Sequence, residues 1–241
     1  GPDADAHFSQ PNTADAKAVA GADIVFVNGL GFETWSDALI NNAGGDASVI
    51  VATDGVEPIL VDGEIDPHAW NALTNGVIYV ENIAAAMAAA DAGNADAYKA
   101  NAASYIAKLR ALHASAADRF GSLPEDGRTV VTAHDAFGYL ANSYGLNFLA
   151  PVGIDTEAEP SASELAALIA HLKETGAGAL FVENITSPAL IEQISKETGL
   201  KIGGRLFSDA LSERGGPATS YVAMFEHNLG AIMTALEDSG S

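Results

Sequence analysis

Three histidines and one aspartate carry most of the chemistry open to this chain. His68 sits in Asp66-Pro67-His68-Ala69-Trp70, directly after a proline at the mouth of an expected helix, where a stiff backbone fixes the direction of the ring. His7, His134 and Asp209 occupy comparable loop or strand-end positions far apart in sequence. Three imidazoles and a carboxylate form an N/O ligand set that suits a first-row divalent metal, zinc above all. Closed at four ligands around Zn2+, the set has a net charge of about +1 and leaves no position for a catalytic water. A closed set of this kind argues against turnover at the ion. The enzymatic alternative is a zinc hydrolase with the three histidines as ligands and Asp209 as base, and the lack of an H-E-x-x-H helix counts against it. A third reading is an interaction protein in which the metal is a structural staple.

The remaining histidines serve as internal controls. His171 and His227 fall off the apolar stripes of their expected helices and read as solvated, while His113 lies beside such a stripe and reads as structural. Asp135 and Glu183 stand as supporting or substitute oxygen ligands behind Asp209.

Presenting such a set requires a scaffold, and 241 residues with 48% hydrophobic content can bury a full core. Eleven basic against 32 acidic residues give a formal charge of −21, which disfavours nucleic acid and anionic membranes and favours cations. With no cysteine there is neither a disulfide framework nor a thiolate metal site. No apolar run reaches a membrane span and no signal peptide opens the chain, so the expectation is a mature or truncated form, and Gly1-Pro2 reads as a protease scar.

Helical and β-branched segments alternate as in a parallel sheet with crossover helices. Strands are expected at 23–27, 48–52, 129–132, 147–150, 179–182 and 201–207, and helices at 15–20, 34–41, 70–90, 163–175, 188–199 and 220–236. Ser161 with Glu164 fits a capping box. Between the halves, Tyr98, Ala102, Tyr105, Ile106, Leu109, Leu112, Ala116 and Phe120 recur at helical spacing. That helix would run roughly 35 Å as a spine. The expected fold is α/β: two βα lobes with mostly parallel sheets, an N-terminal lobe at 1–94, a linking helix at 95–122 and a C-terminal lobe at 123–241. Ligands in such sheets bind outside the carboxyl ends of strands, where His134 and Asp209 fall. The loop 153–160 is either a gate or a plain surface connection.

Five ordered motifs now stand out: Gly1-Pro2-Asp3-Ala4-Asp5-Ala6-His7, Asn28-Gly29-Leu30-Gly31-Phe32-Glu33, Asp66-Pro67-His68-Ala69-Trp70, Thr132-Ala133-His134-Asp135-Ala136-Phe137 and Phe207-Ser208-Asp209-Ala210-Leu211-Ser212. Together they resemble the cluster A-I (cluster 9) solute-binding proteins of metal-importing ABC transporters, most closely their zinc branch, AztC-like or ZnuA-like. The resemblance covers essentially the whole chain. It implies zinc in a cleft between the lobes, with His7 and His68 supplied by the first and His134 and Asp209 by the second. It also implies a periplasmic, monomeric, non-enzymatic protein that hands Zn2+ to a membrane permease, with a periplasmic zinc metallochaperone as one source of the ion. Manganese members of the family tend to carry a carboxylate at the position of His134, so an imidazole there points to zinc over a manganese or iron binder. Three departures accompany the resemblance. Family members usually have one further βαβ unit before the first motif, many carry a His- and acid-rich loop where residues 61–65 form a short join, and some have a C-terminal cysteine pair.

Overall fold

The computed structural model describes residues 2–7, 10–124, 127–156, 160–175 and 177–239. The chain divides into two units, one comprising Ala6–His113, the other Gly1–Asp5 with Ala114–Ser241.

The unit Ala6–His113 begins with helix α1 (Thr13–Ala20). Asn12 caps it, its Oδ1 accepting the N–H groups of Ala14 and Asp15 while Asp15 Oδ2 accepts the N–H of Asn12. This reciprocal box satisfies donors that the first helical turn leaves unpaired. Strand β1 (Ile24–Val27), helix α2 (Ser36–Ala43) and strand β2 (Ser48–Val51) follow, with β1 and β2 parallel and Val25 opposite Val49. The short join at 61–65 is a hairpin of β3 (Leu60–Val61) and β4 (Glu64–Ile65), turning through Asp62-Gly63 as a two-residue hairpin loop prefers.

The residues after His68 depart from the expected continuous helix. Ala69–Asn71 form a single 3-10 turn, Ala72 is extended, and helix α3 starts only at Leu73, running to Ala90. The backbone turns twice there because Asn75 Nδ2 donates to the carbonyl of Ala69, and Asn71 N–H to that of His68. Helix α4 (Ala95–Gly121) is longer than its apolar stripe alone implies, and the boundary between the units falls inside it, between His113 and Ala114. Leu109, Ala116 and Phe120 of the stripe are buried.

The other unit holds β5 (Thr129–Val131), α5 (Gly138–Tyr144), β6 (Asn147–Leu149), α6 (Ala162–Thr175), β7 (Ala179–Glu183), α7 (Ala189–Thr198), β8 (Ile202–Leu206) and α8 (Tyr221–Ser239). Among the described residues its strands form one parallel sheet in the order β6-β5-β7-β8. The chain steps from β5 to β6 on one side and then to β7 on the other, so the strand order reverses at β5. Side chains alternate along β7. Leu180 packs with Ile169 and Leu172 of α6 and Ile191 and Ile194 of α7, whereas Phe181 meets α8 from the opposite face. Gly203 belongs to that second contact, since a Cβ there would lie 2.9 Å from Phe181 Cζ and 3.0 Å from Ala235 Cβ. The buried stripe Phe225, Leu229, Ile232, Met233 and Leu236 seats α8, each side chain contributing about 1.5–3 kcal/mol. The capping box of Ser161 and Glu164 forms as expected, while α5, a seven-residue helix, carries no sequence signal long enough to register.

Candidate metal centre

In the unit Ala6–His113, the site is built around His68, fully buried at the start of the 3-10 turn. Asp66 Oδ1 accepts the backbone N–H of His68 at 2.9 Å and lies 2.8 Å from its Nδ1. One carboxylate oxygen thus fixes the backbone, the ring orientation and the tautomer, leaving the Nε2 lone pair to face outward. That Nε2 is 3.2 Å from Nε2 of His7, which is half-buried. Two imidazole nitrogens can approach so closely only with a proton or a cation between them.

Aromatic rings enclose the pair. Phe32 meets His7 edge-on with centroids 4.8 Å apart and packs on Trp70 at 4.7 Å, and Trp70 lies 5.2 Å from His68. Phe32 is delivered by a loop with three successive left-handed residues, Gly29, Leu30 and Gly31. Glu33 holds that loop by accepting the N–H groups of Asn28 and Gly29, and Asn28 Nδ2 donates to the carbonyl of Pro67 at 3.1 Å, next to His68. Tyr79 of α3 donates to Asn28 Oδ1, and Thr53 to the Asn28 carbonyl.

The second unit repeats the device with different residues. His134 follows β5 and Glu183 ends β7, so both lie at the carboxyl ends of the strands where the order reverses. Glu183 Oε1 accepts the N–H groups of Ala133 and His134 at 2.8 and 2.9 Å, and its Oε2 lies 2.7 Å from His134 Nδ1. His134 Nε2 points at Asp209 Oδ2, 3.1 Å away. Burial alone would lower the pKa of His134, but the Glu183 charge and the Asp209 and Glu183 carboxylates that can accept from the ring outweigh it and hold the imidazole well above its ordinary 6.5.

Asp209 sits three residues past β8 on a turn fastened from both sides. Upstream, buried Asn228 of α8 clamps the backbone of Phe207, accepting its N–H at 3.0 Å and donating to its carbonyl at 2.8 Å. Downstream, Asn184 Nδ2 donates to the carbonyl of Ala210 at 3.1 Å, and the N–H of Asp3 donates to that of Leu211.

Each unit therefore gathers two of the four expected ligands, His7 with His68 and His134 with Asp209. Bond lengths of 2.0–2.1 Å at a tetrahedral zinc place neighbouring ligand atoms about 3.3 Å apart, and both pairs match that bite. Glu183 supports an imidazole instead of replacing a ligand. Asp66 does the same for His68, a role that its place two residues before the histidine could have signalled. Asn28 and Asn228 were invisible in sequence because their partners lie in other elements. Asp135 bonds through its backbone to the carbonyls of Val152 and Gly153. His171 is exposed. His227 keeps to the surface, its Nε2 bonding the Arg205 carbonyl at 2.8 Å and its ring packing edge-on against Phe207. Residues 157–159 of the expected gating loop lie outside the described residues.

Residues 1–235 match the family model described as Zinc-uptake complex component A periplasmic, ZnuA. The chain belongs to that family. It is a metal-binding substrate-binding protein of the ABC-transporter type, not an enzyme. Among similar proteins, the iron ABC transporter substrate-binding lipoprotein MtsA of Streptococcus pyogenes is 33% identical over 243 residues, covering 96% of this chain and 78% of its own. The manganese ABC transporter substrate-binding lipoprotein PsaA of Streptococcus pneumoniae is also 33% identical over the same shares. Among solved structures, the periplasmic zinc binding protein TroA of Treponema pallidum superposes with a TM-score of 0.92 at 28% identity, over 98% of this chain and 88% of TroA. Both the α/β class with parallel sheets and the long helix agree with the sequence expectation. Among the described residues, no helix is long and apolar enough to cross a membrane.

Proposed function

We propose that the chain captures one Zn2+ outside the cytoplasmic membrane with His7, His68, His134 and Asp209 and releases it to the membrane permease of its transporter. The observation that carries the reading is the paired construction. Two carboxylate-backed imidazoles, one in each unit, hold a nitrogen lone pair or proton toward a second ligand about 3 Å away. Three imidazoles in the set favour zinc over manganese, whose sites are richer in oxygen. With all four ligands supplied by protein, water has no place on the ion, in keeping with capture. The protein acts as a monomer, with a periplasmic zinc metallochaperone as one source of the ion.

A second reading, a manganese or iron carrier, draws on the metals for which the two streptococcal relatives are named. Competition titration of chelator-stripped protein with Zn2+, Mn2+ and a chromogenic chelator separates the two. Tight one-to-one zinc binding, weaker manganese binding and a sharp loss of zinc affinity in His134→Ala are expected. Equal or stronger manganese binding would select the second reading, and an unaltered His134→Ala would displace the site itself.

A further inference from the structure

Asn184 follows the carboxylate that orients His134, yet its own contacts lead elsewhere. Its N–H donates to the carbonyl of Leu206 at 3.2 Å, and its Nδ2 donates both to the carbonyl of Ala210 at 3.1 Å and to Asp3 Oδ1 at 3.0 Å. Asp3 returns to the same turn through its N–H, which donates to the carbonyl of Leu211 at 3.1 Å. The left-handed backbone of Asp3, at φ 53°, lets its N–H and carboxylate serve neighbouring residues. A second acid of this segment, Asp5, accepts from Thr156 Oγ1 at 2.8 Å.

We infer that Asn184 and Asp3 form a latch that sets how long the metal stays bound. It does so by holding the turn after Asp209 in its ligating position. The inference rests on the reading of Asp209 as a ligand. Asn228 already fixes Phe207 on the upstream side, so the backbone of Asp209 shifts by moving the downstream residues. The Ala210 and Leu211 carbonyls are the two groups the latch fastens. The amide orientation follows from the partners, since turning it over would set Asn184 Oδ1 against a carboxylate and a carbonyl. Asp3 lies four residues before His7, so the segment that supplies one ligand departs from the place where the turn carrying another is fastened. Asn184 and Asp3 touch no proposed ligand atom. They are positioning residues.

The test is the rate at which zinc-loaded protein gives its ion to excess chromogenic chelator in stopped flow. The variants are Asn184→Ala, Asp3→Ala, Asp3→Asn, the double alanine variant and Asp209→Ala. Asn184→Ala should release zinc about 10–100-fold faster, the range typical when a group supporting a ligand is removed. Asp3→Ala should also accelerate release, and the double variant should be no faster than Asn184→Ala. Asp3→Asn keeps an acceptor oxygen and should behave as the parent. Should Asn184→Ala prevent folding, the pair Asp3→Ala and Asp3→Asn carries the same test. A parental release rate in Asn184→Ala, multiplying effects in the double variant, or equal rates in Asp3→Ala and Asp3→Asn would each overturn the latch. A parental rate in Asp209→Ala would instead remove Asp209 from the ligand set, so the two failures are distinguishable.

Discussion

His134 lies between two carboxylates, Glu183 Oε2 at 2.7 Å from Nδ1 and Asp209 Oδ2 at 3.1 Å from Nε2, an arrangement that favours the protonated ring. Its folded pKa is raised above 6.5, so the ring stabilises the metal-free fold below its unfolded pKa, and that contribution is lost as pH rises through the folded value. A metal at Nε2 must expel the proton. Calorimetric zinc titrations near neutral pH, run in buffers of differing ionisation enthalpy, should show net release of about one proton per ion from this ring. Zinc affinity should fall as pH is lowered. No proton release would mean that the ring is already neutral before the metal arrives.

Among the elements, the loop from Asn28 to Glu33 separates two costs that glycine avoids. Gly29 and Gly31 both have φ near +80°, but a Cβ on Gly29 would lie 2.5 Å from Val51 Cγ1 and 2.9 Å from Thr53 Oγ1, whereas one on Gly31 meets nothing within 4 Å. Gly31→Ala should cost about 1–2 kcal/mol of conformational energy, and Gly29→Ala about 1–3 kcal/mol more from overpacking. Urea unfolding monitored through Trp35 and Trp70 should show that order, and equal midpoints would mean β2 yields freely. The sequence made the strands legible because Ile24–Val27 and Ala179–Glu183 are short β-branched or apolar runs between turn residues. It misled after His68. There, Ala69, Ala72 and Leu73 carry helical propensity and no proline marks a stop, whereas the structure has a 3-10 turn and an extended Ala72 before the helix begins, with Asn75 bonded to the Ala69 carbonyl. The four proposed ligands were readable as residue types at loop or strand-end positions. Glu183 was visible as an acid but not as a partner of His134, because 49 residues separate them.

For the whole molecule, the proposed ligands lie far apart in sequence, so an ion that binds them favours the folded chain over the unfolded one. Zinc at about 100 times its dissociation constant should add about 2.7 kcal/mol of stability by mass action. The thermal midpoint should rise with zinc concentration in the parent protein and stay level in His134→Ala. A midpoint indifferent to zinc would argue against binding to the folded state. The formal charge of −21 adds a long-range attraction for cations without specifying where they bind.

The two backbone bonds accepted by Glu183 and its close approach to the His134 ring also bear on how such a protein could change its metal over evolutionary time. A single substitution of His134 by an acid would place a new anion against Glu183 and Asp209 in a buried pocket, with no N–H left for Glu183 Oε2. If His134 is a ligand, as proposed, exchanging it alone for an oxygen ligand should cost stability that a change at residue 183 would relieve. Under the proposed reading, metal preference belongs to His134 and Glu183 together.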